Sequence, residues 1–573
     1  MARFPRLFLL YAWTTHVCVF ARVNQYNCPL LGPAFPAAHQ IDTLGFQQYA
    51  NQFTLALEGA LSSGNNSYGE FDTETVSFSI AVWSVSQNTS LYEYHSEGSK
   101  LVGDVTGGGV LNNNTIYRIG SISKLHTVYT YLAAVGDAHL DEPITNFLPE
   151  LAAIDKEWAH NASANKIDNI KWSEVTLRSL AGQLSGIPRD YGLGDVAGFV
   201  HDPATIESFG LPPLDSVPKP LCVPFTSGEN GVCTREEFFR GIATRPPVFA
   251  AYSTPSYSNL NYGLFAWALE AILDDGRPFP QIFKDEVLDP LGLNQGSFDD
   301  PSGAYYSTIA DLNALGRSIL RSELLPRRLT GWWLKPMTFT SDPNQSVGMP
   351  WEIYRTAISV TPGSEAKRMV DMYTKAGDVG LYATMLALVP DYGIGFTILT
   401  AGNSIRQLER IYLLEMLRDH FLPAFEDLNA KAAEGSYAGT YVDSASNSSI
   451  TISTRPDRPG LGVENWISRG VNMLEDGKGI RGLYHFTDST PLELRLQPTG
   501  LRDKKTGRVG FRLISEDRQF REGFLWECFS WASVDAITYG AAGVDDFIFG
   551  LDRDGNAEDL ELRAFRISLE RSR

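Results

Sequence analysis

The hydrophobic pattern of this chain changes near residue 437, and any fold it adopts must accommodate that change. Upstream, segments of helical spacing alternate with short strands. Downstream, only short apolar stretches occur, at 440–441, 450–452, 463–466, 492–496, 509–513 and 547–549, divided by Gly, Pro and Asp turns. A small, polar linker at 430–436 separates the two regimes. The pattern predicts a layered α/β domain over 22–430 and a small all-β domain over 437–573, either a partly closed barrel or a sandwich.

Within the first unit, Leu44, Phe46, Tyr49, Phe53 and Leu57 recur at helical spacing over 43–60, and 76–85 alternates like a strand with 91–95 as its hairpin partner. Helices are expected at 264–273, 282–290 and 308–322. Apolar stretches near 349–354, 369–373, 381–389 and 394–399 read as neighbouring antiparallel strands. A long helix from 405 to about 428 closes the unit, with Leu408, Ile411, Leu414 and Leu417 on its buried side. The region 197–250 is proline-rich and weakly periodic, which predicts a loop that covers a cleft.

Residues 1–21 combine Arg3 and Arg6, an apolar run from Leu7 to Phe20 and small residues ending at Ala21, the pattern of a cleaved signal peptide. No later run is long and apolar enough to span a bilayer, so a secreted protein without stable membrane insertion is expected. Cysteine usage fits that address. Cys18 leaves with the leader, and Cys28, Cys222, Cys233 and Cys528 remain. Cys222 and Cys233 bracket a turn-rich loop and suit a local disulfide; Cys28 and Cys528 then pair by elimination. Sequons at Asn65, Asn88, Asn113, Asn161, Asn344 and Asn447 predict surface glycans. Acidic residues outnumber Lys and Arg by 67 to 48 with no basic, aromatic-rich patch, which argues against a nucleic-acid partner.

Chemistry concentrates first in Ser121-Ile122-Ser123-Lys124, which opens an apolar helix containing Leu125, Val128 and Leu132. That spacing places Ser121 and Lys124 on one face of the first turn. A poorly solvated lysine loses proton affinity and can then accept the proton of an attacking serine. Two further Ser-x-x-Lys copies, Ser163–Lys166 and Ser364–Lys367, lie in polar or turn-rich sequence and open no such helix. Second, Tyr257-Ser258-Asn259 sits in a turn before an apolar helix, so a phenol able to relay a proton and an amide able to bind a carbonyl can share one cavity. Third, Lys375-Ala376-Gly377 lies where a strand is expected to end, offering a second cation and, through the backbone N–H of Asp378, an oxyanion donor. The loop Asp552–Asp559 lacks the closing Glu and flanking helices of a calcium site and reads as a turn, so no metal or cofactor is expected.

In their order and separation, these three elements resemble the active-site motifs of the serine β-lactamase and penicillin-binding-protein superfamily, and class C β-lactamases with their related esterases and D-peptidases most of all. Ile119-Gly120 before the serine, Leu184-Ser185-Gly186-Ile187-Pro188, Gly348 to Trp351 and Gly393-Ile394-Gly395 agree, so the resemblance spans about residues 45 to 425. It implies an antiparallel sheet flanked by helices, with a mostly helical subdomain carrying Tyr257. It implies Ser121 as the acylated nucleophile, Lys124 as its activator and Tyr257 as proton relay. Asn259 would bind the acyl-side amide or orient Lys124, and Lys375 would lie near the leaving group or a substrate carboxylate. The N–H groups of Ser121 and Asp378 would form the oxyanion hole beside Gly377. Ala376 replaces the Thr of many relatives, Asp378 stands where a small residue is usual, and Gly182-Gln183 replaces a frequent His before the Ser-Gly turn. These departures point away from antibiotic hydrolysis and toward a small ester, amide or peptide. An acyl hydrolase, an acyltransferase or transpeptidase with the same acyl-enzyme, and a non-catalytic binding protein on this fold remain the alternatives. No Gly-x-Ser-x-Gly elbow or partnered His supports a Ser-His-Asp enzyme.

Overall fold

The computed structural model describes residues 30–36, 41–98, 110–200, 202–222, 233–293, 301–402, 408–484, 492–517 and 530–572. The leader, Cys28 and Cys528 lie outside them. Cys222 and Cys233 form a disulfide.

The first unit is built from α1 (Thr43–Ser63), β1 (Val76–Ser84), β2 (Ser90–Ser96), α2 (Ser123–Val135), α3 (Leu260–Leu273), α4 (Ile309–Arg321), six strands and α5 (Leu408–Tyr437). The strands are β3 (Thr338–Phe339), β4 (Gln345–Val347), β5 (Glu352–Ser359), β6 (Lys367–Val379), β7 (Tyr382–Val389) and β8 (Ile394–Gly402). They form one antiparallel sheet in the order β2-β1-β8-β7-β6-β5-β4-β3. Strand alternation divides their apolar side chains between two cores. Phe78, Ile80 and Val82 of β1, with Phe396 and Ile398 of β8, pack against Phe53 and Leu57 of α1 and Leu417 and Phe421 of α5. Ala81, Trp83, Leu386 and Leu388 face the opposite core with α2, α3 and α4. The mixed fold with an antiparallel sheet between helices is the one expected.

Several local readings are corrected. Leu44 is exposed because it lies two residues before Phe46, on the far side of a helix that buries Phe46, Ala50, Phe53 and Leu57. Ile411 is exposed by the same logic, two residues before Leu413. The weakly periodic 197–250 region contains a helix, Arg235–Ile242, started by a reciprocal capping box between Thr234 and Glu237. The 430–436 stretch is no extended linker: α5 runs through it to Tyr437 and carries Ala433 and Tyr437 into the carboxy-terminal core.

That core belongs to a closed antiparallel barrel of β9 (Gly439–Asp443), β10 (Ser448–Arg455), β11 (Arg458–Ser468), β12 (Leu492–Asp503), β13 (Arg508–Asp517), β14 (Asp546–Leu551), β15 (Ala557–Leu562) and β16 (Ile567–Arg571). Pairing of β10 with β11 completes the ring, which removes the open edges a sandwich would leave. The Tyr437 ring meets Phe511 and Phe549 at centroid distances of 5.6 and 5.2 Å. The acidic loop after β14 is a turn in which Asp552 Oδ1 accepts from the N–H groups of Asp554 and Asn556.

Candidate active site

Gly120 creates the turn that presents Ser121. Its φ of +51° is open to glycine, and a Cβ there would sit 2.7 Å from the backbone nitrogen of Asp378. Across that contact a Cβ on Gly377 would overlap the Ile119 carbonyl and lie 2.9 Å from the Ser121 nitrogen. The serine turn and β6 therefore touch through backbone alone, and Thr384 Oγ1 ties them by donating to the Ile119 carbonyl at 2.8 Å. Ser121 lies in a 3₁₀ turn, Gly120–Ile122, that feeds directly into α2.

Lys124, in the first turn of α2, is fully buried. Its Nζ donates to Ser121 Oγ at 2.9 Å and to the Ser302 carbonyl, and lies over the rings of Tyr257 and Tyr262 at 5.1 and 5.3 Å. Tyr257 OH is 2.7 Å from the same Oγ. Two proton-active groups thus converge on one hydroxyl. Burial raises the affinity of the Tyr257 phenol for its proton, but the charges of Lys375 and Lys124, with hydrogen bonds to Ser121 and Lys124, outweigh it and hold the phenol below its ordinary value.

The turn carrying Tyr257, with the start of α3, is clamped onto the 183–188 segment. Gln183 Oε1 accepts from Ser258 N at 2.8 Å and Asn261 Nδ2 at 3.0 Å, and Ser258 Oγ donates to the Pro188 carbonyl at 2.7 Å. The Gln that replaces a frequent His therefore positions this turn. Asn259 is not used as a helix cap: its side chain makes no capping bond, and its Nδ2 contacts Asp190 Oδ1 and Oδ2 at 2.9 and 3.1 Å.

Lys375 lies inside β6 and not at a strand end, and it is buried and not solvated. Glu352, the first residue of β5, bridges Lys375 Nζ at 2.6 Å and the Ala376 backbone N–H at 2.9 Å. Burial pulls the Lys375 ammonium down, yet Glu352 and Tyr257 outweigh it and keep the group cationic. Pairing between β5 and β6 stops at Glu352 opposite Thr374. Because backbone N–H directions alternate along a strand, Asp378 N points the same way as Ala376 N, toward this unpaired edge and beside Ser121 N. The Asp378 carboxylate pairs with Arg410 of α5, so it presents no isolated negative charge.

Ser121, Lys124, Tyr257, Lys375, Gly377 and Asp378 are thus brought together, while Asn259, two residues from Tyr257, is engaged by Asp190. Glu352, Asp190, Arg410 and the Ser302 carbonyl were not recognised from the sequence, and Gln183 was marked only as a departure from the resemblance, without its positioning role. Each is separated from its partner by long stretches of chain, and no local spacing marks it. The decoy serines are otherwise engaged: Ser163 Oγ bonds Asn161 Oδ1, and Ser364 Oγ accepts from Ala366 N. His126 is buried beside Phe283 and Tyr305, and burial lowers it to about 4, so it is neutral near pH 7. Of the sequon asparagines, Asn65, Asn88, Asn161, Asn344 and Asn447 are exposed and Asn113 half-buried.

Two family models match the chain. One, described as Beta-lactamase, covers residues 81–415, and one described as Beta-lactamase-like-like, C-terminal domain, covers 429–573. The chain is 30% identical to a Beta-lactamase-like protein of Arthroderma benhamiae over 89% of each chain. It is 22% identical to the Probable hydrolase clz13 of Cochliobolus lunatus over 88% of this chain and 87% of that protein. Among solved structures, a D-stereospecific amidohydrolase from Streptomyces sp. superposes with a TM-score of 0.42 at 17% identity, covering 63% of this chain and 97% of that one.

Proposed function

Since the chain belongs to the β-lactamase family of hydrolases, we propose that it is a secreted, glycosylated serine acyl hydrolase that cleaves a small ester or amide through an acyl-enzyme on Ser121. The observation that carries this reading is the convergence of Lys124 Nζ and Tyr257 OH on Ser121 Oγ, at 2.9 and 2.7 Å. As Ser121 Oγ bonds to the substrate carbonyl carbon, its proton passes to whichever of these two groups is deprotonated. The carbonyl oxygen becomes an oxyanion between the N–H groups of Ser121 and Asp378, donors that matter most when that charge develops. The C–O or C–N bond then breaks, and Tyr257 or Lys124 returns the proton to the leaving group. Water repeats the sequence in the second half-reaction, with its proton taken by the same pair and Ser121 restored as leaving group. The test is covalent trapping. A neutral fluorophosphonate is expected to add one adduct to the protein, and peptide mass spectrometry should place it on Ser121; labelling that persists in Ser121→Ala would overturn the assignment.

A pH prediction follows from the Tyr257 environment. With phenolate as proton acceptor, kcat/KM rises as pH rises through the Tyr257 pKa, which lies below 10 because nearby lysines favour the charged form. Lys375→Met removes the leading cation and is expected to move that limb to higher pH. Tyr257→Phe should abolish the limb and slow turnover by about 10²- to 10⁴-fold. A limb unchanged in Tyr257→Phe would assign it to Lys124.

A further inference from the structure

We infer that the cleft around Ser121 selects electrically neutral acyl groups, and that Glu352 is the residue setting this preference. The inference rests on the acyl-enzyme reading above and adds the substrate class. Besides Lys124, which contacts Ser121 directly, three cations lie around Tyr257 and Lys375, and each of these three is paired with a carboxylate. Lys375 is held by Glu352 at 2.6 Å, Arg410 by Asp378, and Arg189, stacked 4.7 Å from the Tyr257 ring centroid, lies 3.6 Å from Asp190.

The Lys375 pair matters most because its two members differ in access. The lysine side chain is 2% exposed, whereas that of Glu352, which holds its ammonium, is 24% exposed, so the carboxylate is the member of the pair that solvent reaches. Glu352 is also fixed from behind, since its second oxygen accepts the Ala376 N–H at 2.9 Å. An incoming carboxylate would have to displace an anion already holding two donors, or bind beside it against like-charge repulsion. A neutral acyl chain meets no such obstacle. Tyr354, two residues on and on the same face of β5, lies within electrostatic reach of Glu352, Lys375 and Arg410, and its exposed ring offers apolar surface beside them. Glu352 would thus act on specificity while also keeping Lys375 charged beside the Tyr257 ring, 5.5 Å away.

The test compares two activated esters of equal chain length, 4-nitrophenyl butyrate and the mono-4-nitrophenyl ester of succinic acid, which differ by a terminal methyl against a carboxylate. The wild-type protein is expected to favour butyrate in kcat/KM by about 10-fold or more. Glu352→Gln, which keeps the shape and removes the charge, is expected to narrow that ratio about 5-fold, mostly through faster turnover of the succinate. Asp378→Asn, at an exposed site, supplies a second variant and should narrow it in the same direction. Equal use of both esters by the wild type, or ratios unchanged in both variants, would overturn the inference. Failure of the wild type to be labelled on Ser121 by the neutral fluorophosphonate would instead overturn the acyl-enzyme reading, and the selectivity claim with it.

Discussion

Ser121→Ala and Lys124→Met are each expected to lower kcat on a reactive ester by about 10⁴-fold or more, and the double variant to be no slower than either alone. The non-additivity is the informative part. Lys124 Nζ is fully buried, and its contacts with Ser121 Oγ, the Ser302 carbonyl and two tyrosine rings leave it no route to the acyl chain. Its contribution therefore passes through the serine and disappears once the serine is gone. The Lys124 side chain is fully buried, so an unbranched apolar replacement of similar length keeps the packing and should leave the thermal midpoint near the wild-type value. Lost activity with a retained midpoint would show that chemistry and not folding had been removed. Independent, multiplying effects would mean that Lys124 acts on something other than Ser121. Residual turnover, if measured, should be the same in all three variants, because the N–H groups of Ser121 and Asp378 survive each substitution.

The sequence exposed the parts of this site that share a helix turn or a loop turn, and little of what joins them. Ser121, in the 3₁₀ turn that feeds α2, and Lys124, in the first turn of α2, are three residues apart, so local helical geometry aligned them. Tyr257 and Lys375 were recognisable only as members of an ordered motif set, because nothing local says that 136 residues of chain bring Tyr257 OH back to Ser121 Oγ. Glu352 was illegible for a sharper reason: its role depends on β5 ending opposite Thr374, a register fixed by pairing across the sheet. The same distinction holds for the fold. Alternation in 76–85 and helical spacing in 43–60 located β1 and α1, whereas the polar, alanine-rich 430–436 stretch read as a linker, because its helix is stabilised by a barrel that forms downstream. Barrel closure through β10 and β11 is likewise a tertiary choice that short apolar strands do not encode singly.

Removing the Glu426 carboxylate by Glu426→Ala is expected to be the most destabilising single change away from the active site, at about 3–5 kcal/mol. Glu426 on α5 and Arg368 on β6 are each about 1% exposed, and the guanidinium reaches Glu426 through Nε at 3.0 Å and Nη2 at 2.9 Å. Arg368 also donates to Asp391 at 2.8 Å and to the Tyr392 hydroxyl at 3.0 Å, while that hydroxyl donates to Glu426 at 2.8 Å. Burial weakens the Arg368 charge, but Glu426, Tyr392 and Asp391 outweigh it, so the cation stays charged and needs its partner. Glu426→Ala removes the partner that holds both Nε and Nη2 and leaves Asp391, on Nη1, to balance a buried cation. An Arg368→Met, Glu426→Leu double variant removes the pair and fills the space, and should recover part of the loss, since a buried pair replaced by apolar groups is often neutral and burial already pushes the remaining Asp391 carboxyl toward its uncharged form. The location gives a second expectation. Upstream of Glu426, α5 packs Leu417 and Phe421 against the sheet; downstream, Ala433 and Tyr437 enter the barrel. The pair sits where one helix passes between two cores, so its loss should let the cores melt separately. Calorimetry is expected to show one transition in the wild type and two in Glu426→Ala, with the double variant restoring one. A single transition lowered by less than the equivalent of about 1 kcal/mol would mean that the network is ornamental and that the two units are coupled by helix packing alone.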